Sequence, residues 1–104
     1  IQTHKIAKNN IIIMDIKDDM RIISLLLRSK KRVEVLKSLE FEDKIPSKIS
    51  KDIGDNSNHV SKYLKSLKDA DLVVCLNEED NRYRFYSITD KGSYYLKQVK
   101  DKYE

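Results

Sequence analysis

Cysteine and proline each occur once in this chain, glycine twice and tryptophan not at all, and several of these shortages close off a class of function. A lone Cys75 can form no intrachain disulfide and cannot build a Cys-based zinc site. The only histidines, His4 and His59, are far apart in sequence, so neither a transition-metal site nor a cofactor is expected. Gly54 and Gly92 alone cannot supply a glycine-rich phosphate loop. No apolar run approaches the ~20 residues of a membrane span. The segment Ile11-Ile12-Ile13-Met14, followed by Asp15, is too short for the core of a signal peptide. Acids are plentiful, but none sits in an apolar setting that would suggest an acid–base pair, so no enzyme activity is expected. A cytoplasmic protein without membrane association fits this set of absences.

What is present is one domain's worth of chain: 104 residues, 37% charged and 39% hydrophobic, with a net charge of +4. That mild excess permits a polyanionic partner without requiring one, so the placement of the charge matters more than its total. Residues 1–14 carry no clear period and read as an N-terminal extension, which is native, translated from upstream or a remnant of cloning. The domain is expected over residues 15–104.

From Asp15 the apolar residues recur at helical spacing. Ile16, Met20, Ile23 and Leu27 form one stripe, with Ile22 and Leu26 beside it. Ser29 can cap a second helix through Glu40, burying Val33, Leu36 and Leu39, with Val35 at the edge. A short connector follows, with a strand expected at Ile45. Pro46 suits the first turn of a third helix, on which Ile49 and Ile53 share a face before Gly54 stops it. Asn56 then caps a fourth helix running to about Ala70. After Leu72 the period becomes strand-like. Val73–Asn77 and Arg82–Ile88 read as a hairpin around Glu78-Glu79-Asp80-Asn81. Thr89 or Asp90 caps a last helix, with Tyr95, Val99 and Tyr103 on one stripe and Leu96 beside it. The expected fold is mainly α with a small β-hairpin wing.

Two helices joined by a tight glycine turn and followed by a hairpin are a DNA-reading arrangement. Stepping about 100° per residue from Val60 puts Leu64, Leu67 and Tyr63 on the core face of the fourth helix and Asn58, Lys62 and Lys65 opposite, with Ser61 between. Between Asn56 and Lys68 there are three lysines and no acid, in a chain otherwise rich in acids. A solvated helix surface would also be charged; an acid-free face at this place in the fold favours DNA. His59 falls on the flank, where it meets a phosphate or solvent. Arg82 and Arg84, sharing a face on the returning strand, are either phosphate or minor-groove contacts or a solvated pair. Cys75 reads as a buried small hydrophobe.

The segment Pro46–Gly54 through Val60–Leu67 resembles the helix-turn-helix of the ArsR/MarR-like winged-helix transcriptional regulators, without the cysteines of their metal-sensing members. The likeness continues through Asp71-Leu72-Val73 and the Tyr86–Gly92 junction. The resemblance implies that helix 56–70 enters the major groove of double-stranded DNA, with Ser57, Asn58, Ser61, Lys62 and Lys65 facing the bases and phosphates. Two positions depart from the pattern. Asp55 stands where an apolar residue usually pins the turn, which leads us to expect a looser or differently packed turn, and the acidic wing tip should be repelled by phosphates. The function expected is sequence-specific transcriptional regulation; the alternative is a winged-helix protein–protein interaction module. The surplus of apolar residues between Met20 and Leu27, with a Tyr-rich final helix, points to a homodimer through the N- and C-terminal helices, or to packing of those helices within one chain.

Overall fold

The computed structural model describes residues 16–103. The expected extension 1–14 therefore lies outside the described residues, as does the side chain of Tyr103. Helix α1 covers residues 16–27, and α2 (Lys30–Ser38), α3 (Pro46–Ile53) and α4 (Ser57–Asp69) follow. Strands β1 (Val73–Cys75) and β2 (Tyr86–Ile88) form the hairpin. Helix α5 (Asp90–Lys100) comes next, followed by a 3-10 turn over Asp101–Tyr103. Among the described residues no helix is long and apolar enough to cross a membrane.

The helix boundaries come from local chemistry. The side-chain oxygens of Ser29, Asn56 and Thr89 accept from the backbone N–H groups of Arg32, His59 and Gly92, which stabilises the starts of α2, α4 and α5. Pro46 occupies the first turn of α3, where its missing N–H costs nothing. Gly54 ends α3 at φ +68°, a left-handed conformation that glycine adopts without penalty. At the other end of α4, Asp71 takes φ +62°. Its N–H donates to Lys68 O and that of Leu72 to Leu67 O, both at 2.9 Å. This is a Schellman closure with Asp in the place of Gly.

Helix α2 is the central element, packed on α3, α4 and α5. That placement corrects one expectation: Val35 is not at an edge but fully buried with Val33 and Leu36, because α2 is covered on more than one side. A second correction concerns α1. Ile22 and Leu26 enter the core, whereas Ile16, Met20 and Leu27 of the neighbouring stripe stay exposed and Ile23 is half-buried. The rotation of α1 is held by Asp19, which accepts from the buried Tyr95 hydroxyl of α5, and by the Lys91–Asp18 pair at 3.4 Å. The end helices thus do meet within one chain, leaving one apolar stripe outside.

The hairpin is antiparallel, pairing Val73 with Ile88, Val74 with Ser87 and Cys75 with Tyr86. Its third edge comes from Lys44, one residue before the expected Ile45, through a two-way backbone exchange with Tyr86. Both strands are shorter than the sequence suggests. Beyond Leu76 N–H to Phe85 O, the Asn77 side chain takes over from the ladder, accepting from Phe85 N–H and donating to Tyr83 O, both at 2.8 Å.

Candidate nucleic-acid interface

Val60, Leu64 and Leu67 bury one side of α4 against the core, which turns Ser57, Asn58, Ser61, Lys62 and Lys65 outward. All five are exposed, and they stand on one helix at the spacing expected from sequence. Lys65 lies 3.4 Å from Asp69, an acid one turn beyond it and itself largely exposed. Lys62 makes no ion pair among the described residues. The outward face therefore carries two exposed cations and hydrogen-bonding side chains, suited to phosphates and base edges respectively.

The start of α4 is anchored more firmly than its sequence suggests. Of the two expectations for Asp55, the differently packed turn is the one found. The Asp55 carboxylate lies 2.8 Å from His59 Nδ1, accepts from Asn56 N–H at 2.7 Å and from the Tyr63 hydroxyl at 3.2 Å. These bonds, that to His59 foremost, hold the Asp55 carboxyl below its ordinary range. Ser50 adds a hydroxyl donated to Asp55 O, while the Gly54 and Asp55 N–H groups both donate to Ser50 O. A polar pin thus replaces the apolar one. His59 remains exposed on the flank of α4, its ring oriented by the Nδ1–H donated to Asp55. The signal legible in sequence was the His59–Tyr63 spacing of four, which puts both rings on one side of α4, with Asp55 in the turn just before the helix.

The wing differs from expectation in two ways. Arg82 and Arg84 are exposed, but they lie in the loop before β2 rather than on a strand. Arg84 Nε donates to Asp80 O at 2.8 Å, which folds that side chain back over the tip. Two of the acids at the tip, Glu78 and Asp80, are also engaged. Glu78 pairs with Lys68 of α4, lowering the carboxyl's pKa and raising that of the ammonium. Asp80 accepts from the Arg82 and Tyr83 N–H groups at 2.7 and 2.9 Å. The tip is thus tied to α4 through Glu78 and ordered internally around Asp80. Cys75 is buried, and among the described residues no cluster of three or more His, Cys, Asp or Glu side chains is placed to hold a metal ion.

A tri-helical core, a glycine turn between α3 and α4, an outward-facing α4 and a hairpin behind it define a winged helix-turn-helix. The chain belongs to the winged helix-turn-helix family, whose model matches residues 28–104. No curated protein is significantly similar to it in sequence. Among solved structures, it is similar to the homodimeric winged helix-turn-helix DNA-binding domain Mb0332 from Mycobacterium bovis, a possible ArsR-family transcriptional regulator. There the TM-score is 0.67 at 19% identity, over 85% of this chain and 81% of that one. NMB1585, a MarR family regulator from Neisseria meningitidis, aligns with TM-score 0.63 at 20% identity, over 98% and 72% of the two chains. A variant of Lactococcus lactis ZitR aligns with TM-score 0.61 at 22% identity over 70% of this chain. The match covers 51% of that ZitR chain, so the present chain spans about half its length.

Proposed function

We propose that the protein is a sequence-specific double-stranded DNA-binding transcriptional regulator that places α4 in the major groove and occupies its operator as a homodimer. The observation that carries this reading is the outward face of α4, where Asn58, Ser61, Lys62 and Lys65 are exposed together beside a buried Val60–Leu64–Leu67 seam. Lys62 and Lys65 neutralise phosphates on either side of the groove, and Asn58, Ser61 and Ser57 read base edges. His59, oriented by Asp55, reaches the flanking backbone, and Arg82 and Arg84 serve the backbone beyond the wing. Regulators of the ArsR and MarR families among the structural neighbours support the assignment.

The dimer rests on the apolar stripe that α1 leaves outside. Met20, Ile23 and Leu27 line an open groove of about 400 Å³. Tyr94, the exposed aromatic residue of α5, adds to the apolar surface of the end helices. Two-fold symmetry would then set the two α4 helices about 34 Å apart, one turn of duplex.

Duplex binding measured across a salt series tests the proposal. Lys62→Ala with Lys65→Ala should remove about two phosphate contacts. Between about 50 and about 200 mM salt, wild type should then lose roughly 12-fold more affinity than the double variant. Equal slopes would remove α4 from the DNA. The alternative, a protein-interaction module, draws on one observation: Val74, Leu76 and Phe85 form an exposed apolar face on the wing. Salt-independent or absent duplex binding would favour it.

A further inference from the structure

Helix α1 divides into three sectors. With Ile22 and Leu26 buried, Ile16, Met20 and Leu27 lie about 120–160° around the helix on one flank, while Leu25 and Arg21 lie about 60–100° around on the other. That second flank faces the C-terminal half of α4. The two helices bound an outward-open groove of about 420 Å³, with Arg21 on one wall, Lys62, Lys65, Ser66 and Asp69 on the other, and Leu25 beneath. Lys62 and Lys65 therefore belong at once to the outward face of α4 and to this groove.

Three cations and one acid line a surface that is not enclosed. Arg21 Nη2 lies 2.7 Å from Asp18 Oδ1, but its side chain is 60% exposed, and Asp18 is shared with Lys91. The Lys65–Asp69 pair is more exposed still. Ion pairs this accessible are weak and exchange readily for a stronger anion. A phosphodiester offers a full charge and two oxygens matching the guanidinium fork. An open trough with cations on both walls suits a backbone passing across it, whereas a small-molecule site encloses its ligand.

We propose that Arg21 of α1 is a DNA-backbone contact, taking the phosphate adjacent to those held by Lys62 and Lys65 as the strand crosses the mouth of the α1–α4 groove. The inference rests on the regulator reading above and adds α1 to its DNA face. The apolar stripe of α1 lies on the opposite flank, so a partner covering that stripe leaves Arg21 accessible. One helix then serves core, partner and DNA with different sectors.

The test compares duplex binding by wild type, Arg21→Gln, Arg21→Lys and the Lys62→Ala/Lys65→Ala variant in the same salt series, with sedimentation of each. Removing one contact should lower the slope by about 0.9, so wild type should lose about 3.5-fold more affinity than Arg21→Gln between about 50 and about 200 mM salt. Arg21→Lys should restore the slope, and sedimentation should be unchanged. A wild-type slope for Arg21→Gln, with a flattened one for the lysine variant, would overturn the assignment of Arg21 and leave the α4 reading standing. Wild-type slopes for both would overturn the α4 reading and the assignment together. A slope lost in Arg21→Gln only alongside altered sedimentation, and not regained in Arg21→Lys, would make Arg21 structural and also overturn it.

Discussion

The two glycines offer a quantitative check on how this fold is held, because they are required for different reasons. Gly92 sits in the first turn of α5 and is buried. A Cβ there would stand 2.1 Å from Leu72 O and 2.8 Å from Ile88 Cγ1. Leu72 O belongs to backbone, it accepts the Thr89 N–H at 3.1 Å, and Leu72 is fully buried, so this wall cannot yield as a flexible side chain would. Accommodating alanine requires α5 and the α4–β1 junction to part by roughly 1 Å, an overpacking that costs about 1–3 kcal/mol. Weakening the Thr89 bond adds about 1 kcal/mol. The better helix propensity of alanine returns about 1 kcal/mol. A net loss near the top of the overpacking range, about 3 kcal/mol, is expected because the obstacle is main chain. At Gly54 nothing lies within 4 Å of the added Cβ, and only the φ of +68° opposes it. Placing alanine in that left-handed conformation costs about 1–2 kcal/mol. Urea unfolding followed by circular dichroism measures both. Equal losses, or a larger loss for Gly54→Ala, would refute the steric account of the α5–β1 junction.

For the homodimer proposed through the outward stripe of α1, Met20→Glu is the test: sedimentation should show half the wild-type mass while circular dichroism keeps the wild-type fold, and an unchanged mass would remove this stripe from the interface. Leu26→Glu, which sequence periodicity alone would nominate, should instead unfold the domain, since Leu26 is fully buried. A folded, monomeric Leu26→Glu protein would show that this rotation of α1 is wrong. Tyr95→Phe should cost about 1–2 kcal/mol near neutral pH by removing the bond to Asp19. Burial first, and Asp19 second, raise the Tyr95 phenol above its ordinary value of 10.0. The neutral form is therefore favoured in the folded state, so the associated stability is complete below pH 10.0 and declines as pH rises above it. Stability curves run into the alkaline range should fall more gently for Tyr95→Phe than for wild type; parallel curves would remove Tyr95 as the cause.

Much of the architecture was legible because its determinants are local. Ser29, Asn56 and Thr89 cap the helices that follow them, Pro46 opens α3, and Gly54 closes it; each acts within a few residues of itself. The core face of α4 follows from the spacing of Val60, Leu64 and Leu67, and its outward face follows by geometry. The candidate DNA-facing residues of α4 were therefore readable before any coordinates.

Where sequence reasoning went astray, the deciding partner lay far along the chain. Periodicity offered two stripes on α1, and which one faces inward is settled by distant partners: the core that buries Ile22 and Leu26, with Asp19 meeting Tyr95, 76 residues away, and Asp18 meeting Lys91. Val35 is buried because three helices surround α2, a fact absent from its own period. The partners of two wing acids were likewise hidden in sequence: Lys68 reaches Glu78, and the loop's own N–H groups reach Asp80. Arg21 joins Lys62 and Lys65 only once α1 is laid beside α4. Sequence by itself determined the helices, their caps and the outward face of α4, since those depend on short-range geometry. Tertiary packing alone decided which surplus surface of α1 meets solvent and which charges remain available, because burial and ion pairing belong to neighbours that the chain brings together only on folding.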